Sequence, residues 1–283
     1  MTEQFHILLP VHNRREITRR FIECLKNQTY RNYHLILIDD GSADGTDEMV
    51  LSAIASTTVI KGHGDWWWAG SLQQGYKLLK KHKPPLSDIV LMINDDTEFE
   101  PDFLEKALTA LGNRPRTFLL ARCYSRQNGQ LIDAGVHVDW KKFSFEQPST
   151  RKPINCLSTR GLFFRVEDFY AVGGLHPRLL RHYGSDYEFT IRAHRKGMSL
   201  TTDPSVNIRC DESTTGHHGV ENKTFLGALK TVFSAKSAIN PLALSVFVAL
   251  ACPWPWKFTC WYRVLSLSLS RGWALLRGRV PTR

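Results

Sequence analysis

Short apolar runs alternate with helical stretches through the first 116 residues. Phe5-His6-Ile7-Leu8-Leu9 reads as a buried strand, and His34-Leu35-Ile36-Leu37-Ile38, Thr57 to Ile60 and Asp88-Ile89-Val90-Leu91-Met92-Ile93 as three more strands. Between them, Glu16 to Lys26 and Ser71 to Lys81 repeat apolar residues at helical spacing, the first with Thr18 and Arg19 outward. Asp44 or Thr46 is placed to cap a helix running through Met49 to Ile54. This strand–helix alternation predicts a parallel sheet of βαβ units. The second strand stops abruptly at Asp39-Asp40 and the fourth at Asn94-Asp95-Asp96. Ligands of such sheets bind beyond the carboxyl ends of the strands, where both acidic clusters fall.

After Arg116 the pattern is less regular. Phe118 to Ala121, Ile132 to Val138 and Leu162-Phe163-Phe164-Arg165 look like strands, and Asp186 to Lys196 a short helix closed by Gly197. Leu242 to Cys252 is an apolar run of eleven residues ended by Pro253 and Pro255. A membrane span needs about 20, so this run is too short for one.

The chain has 283 residues, 42% hydrophobic and 23% charged, which suits a folded protein and excludes wholesale disorder. Its net charge of +10 sits in one place. Nine Lys or Arg residues and no Asp or Glu lie between Asn222 and Arg283, with four of the eight tryptophans. The preceding residues are nearly neutral. A nucleic-acid protein would more usually spread a basic stripe over its folded body, so no nucleic-acid partner is expected. Six scattered cysteines without C-x-x-C spacing exclude a zinc ribbon and a dense disulfide framework, and fit a reduced compartment. The first residues show no basic segment followed by an apolar core, so no signal peptide is expected and the chain is placed in the cytoplasm.

Three familiar signatures fail. There is no G-x-x-x-x-G-K-[ST] loop and no H-E-x-x-H. Gly62-His63-Gly64-Asp65-Trp66-Trp67 begins like G-x-G-x-x-G, but Trp67 replaces the third glycine and blocks close helix–strand packing. What remains is carboxylates at strand ends. Asp39-Asp40-Gly41-Ser42-Ala43-Asp44-Gly45-Thr46 sets two acids before a tight turn. There they either accept from a base N–H and ribose hydroxyls or close an Asx turn. Asn94-Asp95-Asp96 either caps the helix from Asp102 or needs a compensating cation. A hard divalent ion held by one carboxylate and diphosphate oxygens is the usual solution.

Leu9-Pro10-Val11-His12-Asn13, Ile38 to Thr46, Asn94-Asp95-Asp96 and Gly184-Ser185-Asp186-Tyr187-Glu188 stand in the order seen in family 2 glycosyltransferases. Residues 5 to 220 resemble that family, and Trp66-Trp67-Trp68-Ala69-Gly70 is similar to a bacterial subgroup with a tryptophan pair before a glycine. The resemblance implies an α/β GT-A fold: a mostly parallel, Rossmann-like nucleotide-binding sheet, a smaller acceptor-side half and a helical C-terminal extension. Residues 1–221 would form the glycosyltransferase domain, with a nucleotide-sugar half at 1–116 and an acceptor half at 117–221. Residues 222–283 would be the extension.

The resemblance also implies roles. Pro10, His12, Asn13, Asp39, Asp40, Asn94 and Asp95 would contact the nucleotide, and Asp96 would hold Mg²⁺ or Mn²⁺. Asp186 would be the catalytic base, with Ser185 where the family has Glu. His217 or His218 is a candidate to complete the metal shell, and Trp67, Trp68 and Gly70 are candidates for the donor sugar. The implied reaction is inverting, metal-dependent transfer of a hexosyl or deoxyhexosyl group from a UDP- or dTDP-sugar. The acceptor would be a glycan, lipid-linked, in bacterial surface polysaccharide synthesis.

Two rivals remain. A nucleotidyltransferase that makes the nucleotide-sugar generally begins with a glycine-rich loop, whereas Pro10-Val11-His12-Asn13-Arg14-Arg15 contains no glycine. A non-catalytic nucleotide-sugar-binding protein would hold the same acids in structural roles. The tail adds a location. Trp254, Trp256, Trp261 and Trp273 alternate with Lys257, Arg263, Arg271, Arg277 and Arg279. Tryptophan favours the headgroup boundary and cations favour an anionic leaflet. The basic positions do not share one helical stripe. Peripheral attachment to the inner face of the cytoplasmic membrane is expected, the alternative being a basic cap packed on the catalytic domain.

Overall fold

A computed structural model describes residues 3–212, 237 and 240–276, with the backbone alone for 268–276. The four expected runs become parallel strands, β1 (Phe5–Val11), β2 (Tyr33–Asp39), β3 (Thr57–Lys61) and β4 (Ile89–Met92), paired in the order β3-β2-β1-β4. Helices α1 (Arg15–Lys26), α2 (Thr46–Ala53) and α3 (Trp67–His82) connect them. The chain continues through β5 (Thr97–Glu98), α4 (Phe103–Leu111), β6 (Thr117–Ser125), β7 (Leu131–Asp133), β8 (His137–Asp139) and β9 (Ser144–Glu146). Then come β10 (Leu162–Arg165), α5 (Val166–Val172), α6 (Ser185–Arg195) and β11 (Ser199–Cys210).

β10 joins β4 antiparallel, β6 joins β10, and β11 and β5 follow, with β7 beside β6. Strands from both halves of the sequence therefore share one nine-stranded sheet. Strand residues alternate between its two faces. Phe5, Ile7 and Leu9 pack under Phe21, Ile22 and Leu25 of α1 and Phe103 and Leu104 of α4. Leu8, Ile36 and Ile38 pack on the other face with Leu72 and Leu79 of α3 and Phe189 of α6.

The C-terminal helices are α7 (Pro241–Ala251) and α8 (Lys257–Leu276), joined through a short 3₁₀ turn at Trp254–Trp256. Asn240 caps α7 by accepting from the N–H groups of Leu242 (3.0 Å) and Ala243 (3.3 Å). Phe247 and Ala251 of α7 pack on Val138, Leu180 and Ile191, so the start of the described tail is part of the folded body. Among the described residues, no helix is long and apolar enough to cross a membrane.

The structure departs from the sequence expectations in several places. Ile132 to Val138 is two strands, because Gly135 turns the chain at φ +89 between β7 on the main sheet and β8 in its own hairpin with β9. α3 begins at Trp67 rather than Ser71, so Trp67 and Trp68 form its first turn and are not loop residues. Thr18 is fully buried, where periodicity put it outward. The twelve-residue strand β11 has no counterpart among the expected elements. Its Asp203-Pro204-Ser205 breaks the alternation, and a register shift between Asp203 and Asn207 absorbs it.

Candidate active site

The turn after β1 is stapled to the turn after β2. His12 Nδ1 donates to the Asp40 carbonyl at 2.6 Å, which fixes the proton on Nδ1 and leaves Nε2 to accept from Asn13 at 3.2 Å. Asn13 adopts φ +51, donates its N–H to Ser42 Oγ (3.0 Å) and accepts from the Ala43 N–H (2.8 Å). Pro10, His12, Asn13 and Asp39 therefore sit together at the carboxyl ends of neighbouring parallel strands. Asp39 is buried and accepts from the Ser42 N–H at 2.8 Å.

Asp40 has a different task. Its Oδ1 accepts from the Gly64 N–H at 2.8 Å, and its Oδ2 from the N–H groups of Trp66 (2.9 Å) and Trp67 (3.1 Å). The carboxylate thus satisfies the free donors at the start of α3 and meets the positive end of its dipole. Asp40 thereby clasps the turn after β3 to the end of β2. Gly62 is needed here, because a Cβ at that position would lie 2.6 Å from Asp40 Oδ1.

The end of β4 carries the second acid pair. Arg14 reaches it from the β1 turn, with Nε 2.9 Å from Asp95 Oδ2 and Nη2 3.3 Å from Asp96 Oδ2. Thr18 Oγ1 donates to the same Asp95 oxygen at 3.0 Å, which is why Thr18 turns inward. Burial pushes Asp95 up to about 6, against the pull of the Arg14 cation, and the neighbouring Asp96 adds to the rise. Asn94, half-buried, accepts from Thr97 Oγ1 through its carbonyl at 2.8 Å.

The buried carboxylate oxygens of Asp95 and Asp96 are hard donors of the kind Mg²⁺ and Mn²⁺ prefer. No group of three or more His, Cys, Asp or Glu able to hold a metal occurs among the described residues. This donor set fits an ion whose remaining ligands are phosphate oxygens and water. His217 and His218 lie outside the described residues.

Asp186 stands in the first turn of α6, where its Oδ1 accepts from the Tyr187 N–H at 2.9 Å. The protein packed around it pushes this carboxyl up to about 6, with Asp133 adding to the rise and Arg160 opposing it. Arg160 precedes Gly161 in the loop entering β10, and the Gly161 N–H donates to the Met92 carbonyl of β4 at 2.9 Å. Its guanidinium lies in the field of the Cys123 thiol and of Asp96 and Asp186. Among the described residues it forms no ion pair with a carboxylate, although protein covers most of it. The sequence expectations did not include Arg160. Its only trace is a lone cation before the glycine of an apolar run, Arg160-Gly161-Leu162-Phe163-Phe164.

The tryptophans divide their work. Trp66 and Trp68 pack at the edge of the core under α3, and Trp68 donates its indole N–H to Thr159 Oγ1 at 2.9 Å, beside Arg160. Trp67, held at φ +56, meets the His182 ring at 6.0 Å between centroids. The Ala69 N–H donates to the Arg181 carbonyl at 3.0 Å, tying the start of α3 to the loop before Asp186. Gly70 is buried against Trp66, whose Cβ would be 3.0 Å from an added Cβ.

The sequence profile of Glycosyl transferase family 2 matches residues 6–173. The amylovoran biosynthesis glycosyltransferase AmsB of Erwinia amylovora is 25% identical over 217 residues, which cover 69% of this chain and 65% of AmsB, just under two thirds of that protein. The N-acetylglucosaminyl-diphospho-decaprenol L-rhamnosyltransferase of Mycobacterium tuberculosis is 23% identical over 74% of this chain and 76% of its own. S. aureus TarS 1–349 in complex with UDP superposes with a TM-score of 0.62 at 14% identity, over 96% of this chain and 75% of TarS 1–349. The mannosyltransferase PcManGT of Pyrobaculum calidifontis, with GDP-Man and Mn²⁺, gives 0.57 at 15% identity, over 97% and 79%. The fold is the GT-A fold.

Proposed function

The chain belongs to glycosyl transferase family 2, and from that premise we propose an inverting transfer of a hexosyl or deoxyhexosyl group from a UDP- or dTDP-sugar. The acceptor is a lipid-linked glycan in bacterial surface polysaccharide synthesis. UDP bound to TarS supports the donor class, and the name of the mycobacterial rhamnosyltransferase supports the acceptor class. The observation that carries the reading is the pair of buried carboxylates, Asp95 and Asp96, that follows β4 beside the Arg14 turn after β1.

Pro10, His12, Asn13, Asp39 and Asn94 surround the nucleoside in this reading, while Asp40 holds the turn that shapes its pocket. Trp67 and Gly70 flank the donor sugar, and Trp68 steadies the loop that carries Arg160. Asp96, with Asp95 beside it, would hold Mg²⁺ or Mn²⁺, which offsets charge on the leaving diphosphate. Arg160 offers planar N–H donors to the same phosphate oxygens. Asp186 is ionised above about pH 6 and is a stronger base than an ordinary carboxylate. It takes the acceptor hydroxyl proton as that oxygen bonds to the anomeric carbon from the face opposite the diphosphate. The bond from carbon to phosphate oxygen breaks, and the configuration inverts.

The test is release of nucleoside diphosphate from a panel of UDP- and dTDP-sugars with an acceptor extract, with and without Mn²⁺ or Mg²⁺. Asp186→Asn should keep donor binding and lose turnover at least ~10²-fold, the usual scale of general-base catalysis. No release from any donor, despite donor binding, would make this a binding protein instead.

A further inference from the structure

α8 has one face fixed against the protein and another left bare. Cys260 and Val264 are buried with Val248 and Cys252, and Trp261 donates its indole N–H to the Ser245 carbonyl at 3.0 Å. On the other side, Phe258 is 68% exposed, Tyr262 73% and Leu265 60%, and Trp254 in the turn before the helix is 72% exposed. Steps of four and three residues set Phe258, Tyr262 and Leu265 on one helical face. In the sequence the same spacing continues at Leu269, Trp273 and Leu276. Trp254 and Phe258 meet edge to face at 6.0 Å, and Lys257 Nζ lies 5.9 Å over the Trp254 ring. Large apolar side chains aligned this way mark a contact surface rather than ordinary protein exterior.

We propose that this row is a membrane-contact face, seated at the headgroup boundary of an anionic bilayer. Charge selects the occupant. Exposed Arg263 borders the row, and the chain from Asn222 onward carries nine cations and no acid. An anionic leaflet complements that surface, whereas a second copy of this chain would bring an equally cationic face against it. Tryptophan and tyrosine are also the aromatic residues that favour the membrane–water boundary. The basic residues supply attraction and the apolar row supplies depth, so the two contributions separate experimentally. The inference rests on the tail alone and stands whether or not the chain transfers sugars.

The full chain is sedimented with vesicles of phosphatidylcholine, alone or mixed with phosphatidylglycerol, at low and high salt. Wild-type protein should bind the mixed vesicles, with part of the binding surviving high salt. Phe258→Ser and Tyr262→Ser should each weaken it roughly ten-fold, the scale of exposing one large apolar side chain, with unchanged melting temperature. Arg263→Gln should lower only the salt-sensitive part. If Phe258→Ser melts early, Leu265→Ser gives the same reading from a site further along the helix. Binding of the serine variants at wild-type strength would overturn the proposal. So would a wild-type chain that ignores both vesicles; a concentration-dependent dimer broken by Tyr262→Ser would then assign the row to a second copy.

Discussion

Two pairs of adjacent acids close two parallel strands of the same sheet, and the fold neutralises them by different means. At Asp39-Asp40 the compensation is made of backbone: four N–H groups, from Ser42, Gly64, Trp66 and Trp67, point at the two carboxylates. At Asp95-Asp96 it is made of side chains, Arg14 and Thr18, brought from the neighbouring turn and helix. Amide dipoles hold one carboxylate in place and leave no mobile charge. Burial holds Asp95 up near 6 against the pull of the guanidinium it shares with Asp96, which keeps the local charge adjustable. Identical sequence signatures thus produce a rigid clasp in one loop and a responsive electrostatic centre in the other.

The strongest way to break this contrast is at Asp96. Asp96→Ala should lower kcat/KM about 10³-fold, because a metal's stabilisation of the leaving group is worth several kcal/mol. Dependence on added Mn²⁺, measured by diphosphate release, should steepen sharply; an unchanged metal response would remove Asp96 from the metal site.

Arg14→Met comes next. Removing one member of a buried ion pair costs about 3–5 kcal/mol, read as a shift of the urea midpoint at pH 7. The deficit should shrink toward pH 5, where the uncompensated buried acid can take a proton instead. A variant as stable as wild type would mean that Arg14 does not carry the compensation.

A smaller effect is expected from Asp95→Asn, and it depends on pH. Asp95 titrates near 6 in the folded protein, above its unfolded value of 3.8. Between these values the folded state holds more protons, so this group's contribution is fully present below pH ~4 and is lost as pH rises through ~6. Wild-type protein should lose roughly 2–3 kcal/mol more than Asp95→Asn between pH 4 and pH 7. Parallel stability curves for the two proteins would contradict the raised value.

The smallest change is Asp40→Ala. Loss of a helix cap typically costs about 1 kcal/mol, read as a shift of the urea midpoint. A loss as large as that from Arg14→Met would erase the distinction between the two loops.

Much of this was legible in the chain itself. Apolar runs of four to seven residues, each closed by acids or a turn, identify β1, β2 and β4, because a strand buried on both faces is largely apolar, while the half-buried edge strand β3 shows only Val59 and Ile60. The positions of Asp39, Asp40, Asp95 and Asp96 follow from where those strands stop. Local pattern fails where a partner distant in sequence decides the outcome. Thr18 looks like a surface residue until Asp95, 77 positions away, supplies its hydrogen bond. β11 tolerates Pro204 because β6 pairs on both sides of its irregularity.

The division between Asp39 and Asp40 and the placement of Arg160 belong wholly to tertiary structure. A carboxylate's role depends on which donors surround it, and Gly64, Trp66 and Trp67 come from the far end of β3. Arg160 gains meaning only because the β10 loop returns beside β4 and brings a half-buried cation into the fields of Asp96 and Asp186. Sequence determines which groups can ionise and where strands end, since those follow from side-chain chemistry and hydrophobic period. Folding decides which charges meet, since electrostatic energy depends on distance through space and on the exclusion of water, and neither is written in the order of residues.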